Sequence, residues 1–164
     1  MVNFRFSILK IGIFMFFSII SLCFAGTSQS DEIQMCKEKS KIDEPSHKDK
    51  GVGFPLAVKG KASNCPKGYH FWIAVHPVLS SGYWPQSGEI SPSPRDDSWE
   101  TVVYLGEAKK GIGEKFQIIL AIADENAHKS FVKYLADAPK EGYPERPMPD
   151  GVIQIDRITY TRTQ

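Results

Sequence analysis

Catalytic signatures are what this chain lacks. It has no GxSxG elbow, and no cysteine inside a strand-like run with a histidine nearby, so a nucleophile-and-base hydrolase fails on motif. Neither GxGxxG nor GxxxxGK[ST] occurs, and the glycine-rich stretch 106–113 therefore makes no phosphate loop. Net charge is also missing: 20 basic residues stand against 19 acidic ones, a formal +1. Such a balance leaves no electrostatic footprint for nucleic acid and no basic patch for an anionic membrane. There are only three cysteines, without CxxC spacing, which excludes a cysteine-based zinc site. No internal repeat is visible.

What is present begins with a leader. Arg5 and Lys10 form a positive n-region, Ile11–Leu22 an apolar h-region, and Cys23-Phe24-Ala25 offers small residues where a signal peptidase cuts. Residues 1–25 are therefore expected to be a signal peptide, the chain's only membrane association, with the mature protein periplasmic or secreted. An uncleaved anchor is the alternative. Residues 26–50 are rich in Ser, Lys, Asp and Glu and nearly empty of large apolar residues, and are expected to be a flexible tail. Export leaves Cys36 and Cys65 in an oxidising compartment, where an even count reads as a disulfide.

Residues 51–164 read as one compact domain. Strands are expected at Phe54–Ala62, Tyr69–Val78, Trp99–Leu105, Phe116–Ala123 and Val152–Thr161, from β-branched and aromatic content and period-2 alternation. In the second, Phe71, Ile73 and Val75 share one face and His70, Trp72, Ala74 and His76 the other. Phe116–Ala123 is apolar almost throughout, as for a strand covered on both sides. Asp124 is the N-cap of the one helix, with Ala127, Phe131, Tyr134 and Leu135 at helical spacing and Pro139 as its stop. Gln86–Ser98 reads as a polar loop and Lys140–Gly151 as an irregular crossover. Several short strands and one short helix predict a mainly β fold, an antiparallel β-sandwich.

The order of these landmarks carries a resemblance. Val58-Lys59-Gly60-Lys61-Ala62 is followed by Gly68-Tyr69-His70-Phe71-Trp72-Ile73-Ala74-Val75 and then by Tyr83-Trp84-Pro85-Gln86. Trp99, Val102-Tyr104-Leu105-Gly106, Phe116-Ile118 and Asp156-Arg157-Ile158-Thr159-Tyr160-Thr161-Arg162 come after. The series resembles a small immunoglobulin-like β-sandwich module appended to many bacterial proteins. It implies an immunoglobulin-like fold and an accessory or binding role. Here the module stands almost alone behind its leader, which points to an independent role.

The candidate ligand-binding residues are Trp84, Tyr83, Tyr69 and Gln86. Tryptophan and tyrosine are enriched at protein hot spots and serve as stacking platforms for sugars. Trp72 is expected in the core and Trp84 on the surface. His70 and His76 lie about 20 Å apart at strand rise and share no metal; His128 has Asp124 four residues before it, and His47 is in the tail. Glu89, Asp96, Asp97 and Glu100 lack the spacing of a calcium loop. The expectation is a non-enzymatic binding module of the cell envelope, with no catalytic residue, metal or cofactor. Its partner is a protein or an envelope polysaccharide. A carbohydrate-binding module and a small secreted hydrolase or metal-dependent enzyme are the alternatives.

Overall fold

The computed structural model describes residues 28–46 and 51–163. The expected signal segment 1–25 and His47 lie outside the described residues. In chain order the elements are α1 (Gln29–Lys39), β1 (Lys41–Glu44), β2 (Gly51–Val52), β3 (Leu56–Lys61), β4 (Tyr69–Pro77), β5 (Trp84–Ile90), β6 (Ser98–Val103), β7 (Lys115–Asp124), α2 (Glu125–Glu141) and β8 (Val152–Arg162). The fold is mainly β, in two sheets. One has the order β1-β3-β6 and the other β2-β8-β7-β4-β5, with β2 parallel to β8 and every other pair antiparallel. The five-stranded sheet curls into a half-barrel.

The two faces of β4 divide as their alternation demands. Phe71, Ile73 and Val75 join Val58, Val103, Leu120, Ile122 and Ile158 in the principal core. Trp72, on the other face, packs with Ala123, Ala127 and Phe131 under α2 and is 1% exposed. β4 and β7 are thus covered on both sides, and each fully buried aliphatic side chain contributes about 1.5–3 kcal/mol. Asp124 caps α2: its Oδ1 accepts from the backbone N–H groups of Asn126 (3.0 Å) and Ala127 (2.9 Å). Contrary to the expectation from the sequence, Pro139 does not end this helix. The helix runs on to Glu141 and closes at Gly142, whose left-handed backbone (φ 77°) is the conformation a glycine C-cap supplies. A proline this close to the C-terminus removes a single helical bond, so the last turn survives it.

Residues 28–46 are not the flexible tail read from composition. Ser28 and Asp31 form a reciprocal capping box at the start of α1. Cys36 is fully buried and Ile42 is 4% exposed. Polar bonds do the rest. Ser40 Oγ accepts from the Ser63 N–H (3.0 Å), the Ile42 N–H donates to Asp156 Oδ2 (2.8 Å), and β1 pairs with β3. The apolar count missed this segment because backbone pairing carries much of its attachment. Cys36 and Cys65 do not form the expected disulfide; both are free thiols. Each has its own partner, Cys36 Sγ beside Ser40 Oγ at 3.8 Å and Cys65 Sγ donating to the Tyr69 carbonyl at 3.1 Å.

The expected loop 86–98 also changes. β5 extends through Ile90, with a bulge. Ile73 faces Gln86 and Phe71 faces Ile90, so three residues of β5 span one of β4. Ser87 (φ 55°) and Gly88 (φ 91°) turn through the left-handed region there. A bulge re-aims the side chains beside it, and the side chain of Glu89 reaches His70 across the strand pair.

At the other end of the β7–β8 pair, Arg162 is fully buried beneath the 105–110 loop. Its guanidinium donates to the carbonyls of Leu105 (2.8 Å), Ala108 (2.8 Å), Glu107 and Lys110, and lies 4.5 Å from the centre of the Phe54 ring. Among the described residues no helix is long and apolar enough to cross a membrane.

Candidate functional site

The four residues singled out in the sequence do not assemble into one platform. Tyr69 begins β4, whereas Trp84 pairs with Val75 six residues along it, about 20 Å at strand rise. Trp84 is half-buried against the core between the sheets, and its indole N–H donates to the Tyr143 carbonyl at 3.0 Å. Gln86 is 8% exposed; its Oε1 accepts from the Tyr104 N–H (3.0 Å) and its Nε2 donates to the Trp84 carbonyl (3.3 Å). It ties β5 to the residue after β6. Tyr83 stacks on His76 with ring centres 4.6 Å apart, and its backbone exchanges two hydrogen bonds with Arg146.

Of the four, Tyr83 alone reaches an open groove. This cavity, about 560 Å³, lies where α2 faces the return segment 146–150. Tyr83, Pro85, Phe131, Tyr134 and Met148 supply its apolar walls. Lys133 with Asp137, and Arg146 with Glu141, form ion pairs along its rim. One lining residue carries an anomalous atom behind the wall. The Tyr134 hydroxyl is buried and has no hydrogen-bond partner among the described residues, and burial pushes its phenol above the ordinary range. Buried hydroxyls are nearly always partnered. Trp99 Nε1 is orphaned in the same way, in a smaller cleft of about 440 Å³ flanked by Lys59, Asp43 and Glu100. That cleft offers charged walls where the first groove offers aromatic ones.

A second constellation sits at the N-terminal end of α2. His70 Nδ1 is 2.9 Å from Glu89 Oε1, and His70 Nε2 is 3.1 Å from Glu125 Oε1. Both ring nitrogens face carboxylates, an arrangement that favours the doubly protonated ring. The hydrogen bond to Glu89, then that to Glu125, raise the His70 pKa, with desolvation opposing. Glu125 moves down in turn, chiefly through His70. His128 stacks on His70 at 3.9 Å between ring centres and accepts at Nδ1 from the Trp72 indole N–H at 3.3 Å. The remaining acids are elsewhere. Asp96 accepts from the Ser98 hydroxyl (2.8 Å) and N–H (3.2 Å), bonds that hold its carboxyl below the usual range. Glu100 lies 3.9 Å from Lys59.

Sequence reading found the histidines and Glu89 separately, but had no means of joining them. The bulge in β5 and the docking of α2 do that. From the sequence, Tyr134 reads only as helix face, and Arg146 and Met148 only as crossover. Compared with known proteins, the chain matches no family model and no curated protein sequence.

Proposed function

We propose that this protein is an exported, non-enzymatic binding module of immunoglobulin-like architecture. Its groove beside α2 takes an extended peptide segment of a partner protein. The strand order supports the architecture: β1-β3-β6 corresponds to A-B-E of such a sandwich and β8-β7-β4-β5 to G-F-C-C′. β2, parallel to β8, continues the first strand across to the second sheet. Trp72 departs from the usual pattern, packing under α2 while Ile73 takes the place between the sheets.

The aromatic lining carries the functional reading. Tyr83, Phe131, Tyr134 and Met148 would cover apolar side chains of a peptide lying in the groove, with the ion pairs of its rim beside the peptide backbone. The volume is that of ordinary ligand sites.

Photo-crosslinking in cells tests this. A benzophenone side chain placed at Tyr83 or Met148 is expected to trap one protein partner. The same group at Lys109, on the far loop, is expected to trap none. Equal products from all three positions, or none from the groove, would sink the reading. Products abolished by soluble envelope polysaccharide would move the function to carbohydrate binding.

A further inference from the structure

We propose that His70, Glu89 and His128 form a binding site for a divalent transition-metal ion of the zinc class, with Glu125 orienting His70. One donor atom from each of the three ligands lies within 4.8 Å of the others. They come from β4, β5 and α2, so a metal here ties together three elements distant in sequence. Two imidazole nitrogens and a carboxylate oxygen suit zinc, nickel or copper; calcium and magnesium prefer all-oxygen sets. Three protein ligands leave a fourth position for water. The site is reachable, with the His70 side chain 23% exposed and Glu89 43% exposed.

The local chemistry fits ligation. Each ring nitrogen of His70 faces one carboxylate, Nδ1 that of Glu89 and Nε2 that of Glu125. An ion that takes the Nδ1 lone pair displaces any proton there to solvent and keeps Glu89 as its neighbour. The Nε2–H then donates to Glu125, which gives the carboxylate–histidine–metal arrangement that fixes a ligand's tautomer and orientation. Glu89 and Glu125 together offset the ion's double charge, which matters at the electropositive start of a helix. His128 exchanges one bond for another. Trp72 now donates to its Nδ1. Ligation through either nitrogen takes that acceptor away, since Nδ1 is then metal-bound or protonated.

Calorimetric titration of the purified protein with ZnCl₂ decides the matter, with Glu89→Gln, His128→Phe and His76→Ala alongside. Glu89→Gln is close in shape, and His128→Phe keeps a ring against His70, so both fold. The expected result is one Zn²⁺ per chain with micromolar or tighter affinity. Each site variant should weaken it at least about tenfold, the scale on which metal sites answer to ligand and supporting-shell changes. His76→Ala should bind like the unaltered protein. The proposal is overturned if the unaltered protein binds no stoichiometric Zn²⁺, or if either site variant binds as tightly as it does.

Discussion

Replacing Tyr134 with phenylalanine makes the orphaned hydroxyl measurable. The substitution keeps the ring and its packing in the groove, so no cavity term arises. It removes one buried polar atom that has no partner among the described residues. Burying an unpartnered hydroxyl costs about 1–3 kcal/mol by mutational measurement. Tyr134 as a whole is only partly buried, which puts the value near the lower end. Tyr134→Phe is therefore expected to stabilise the free protein by about 1 kcal/mol, or about 3–5 °C in Tm for a chain of this size. Urea denaturation at constant m-value measures it. Partner binding should change by less than about twofold, because the hydroxyl is shut off from the groove and the ring that lines it is kept. A variant that is less stable than the unaltered protein by more than about 0.5 kcal/mol would mean that the hydroxyl already has a partner.

Four further outcomes are expected. Trp84→Ala should destabilise by about 2–4 kcal/mol, because the indole packs on the core and holds Tyr143; a change below about 1 kcal/mol in urea would contradict that placement. Gly60→Ala would drive its Cβ into the Lys41 carbonyl and to 2.7 Å from the Trp99 ring. It should cost about 1–3 kcal/mol as overpacking and loosen β1, read as faster alkylation of Cys36. Arg162→Lys gives up the planar fork that reaches several carbonyls, and a loss of about 2–4 kcal/mol is expected in the same denaturation assay. Burial pushes the Cys65 thiol up to about 12 from an ordinary 9.0, so at pH 8 it should resist iodoacetamide until the protein unfolds. The sign follows for stability: above pH 9 the unfolded thiol ionises while the folded one does not, so Cys65 favours unfolding as pH rises from 9 toward 12. Comparing Cys65→Ala with the unaltered protein over that range checks it.

Strand alternation and helix spacing made most of the framework legible. β4, β6, β7, β8 and α2 follow from local residue patterns, and the burial of Trp72 follows from its place on a central strand. What escaped depended on partners. Residues 28–46 hold on through Ser40, Ile42 and β1, whose bonds go to Ser63, Asp156 and β3, none of them visible in an apolar count. β5 was concealed by Ser87-Gly88-Glu89, which looks like loop chemistry because it is a bulge. Of the site, Tyr83 was found because it is aromatic. His70 and His128 were noticed and set aside, since 58 residues separate them and nothing local announces that Glu89 will arrive between.

Arg162 has a consequence for how this molecule can vary. Its guanidinium grips the 105–110 loop by main-chain carbonyls, much as a bound cation would. Bonds to carbonyls read the loop's length and path rather than its side chains. Glu107, Ala108, Lys109 and Lys110 are therefore open to substitution at little structural cost, while a single insertion or deletion would break the hold. The loop therefore takes replacements of equal length, such as a single residue that carries a fluorophore, and not an inserted tag.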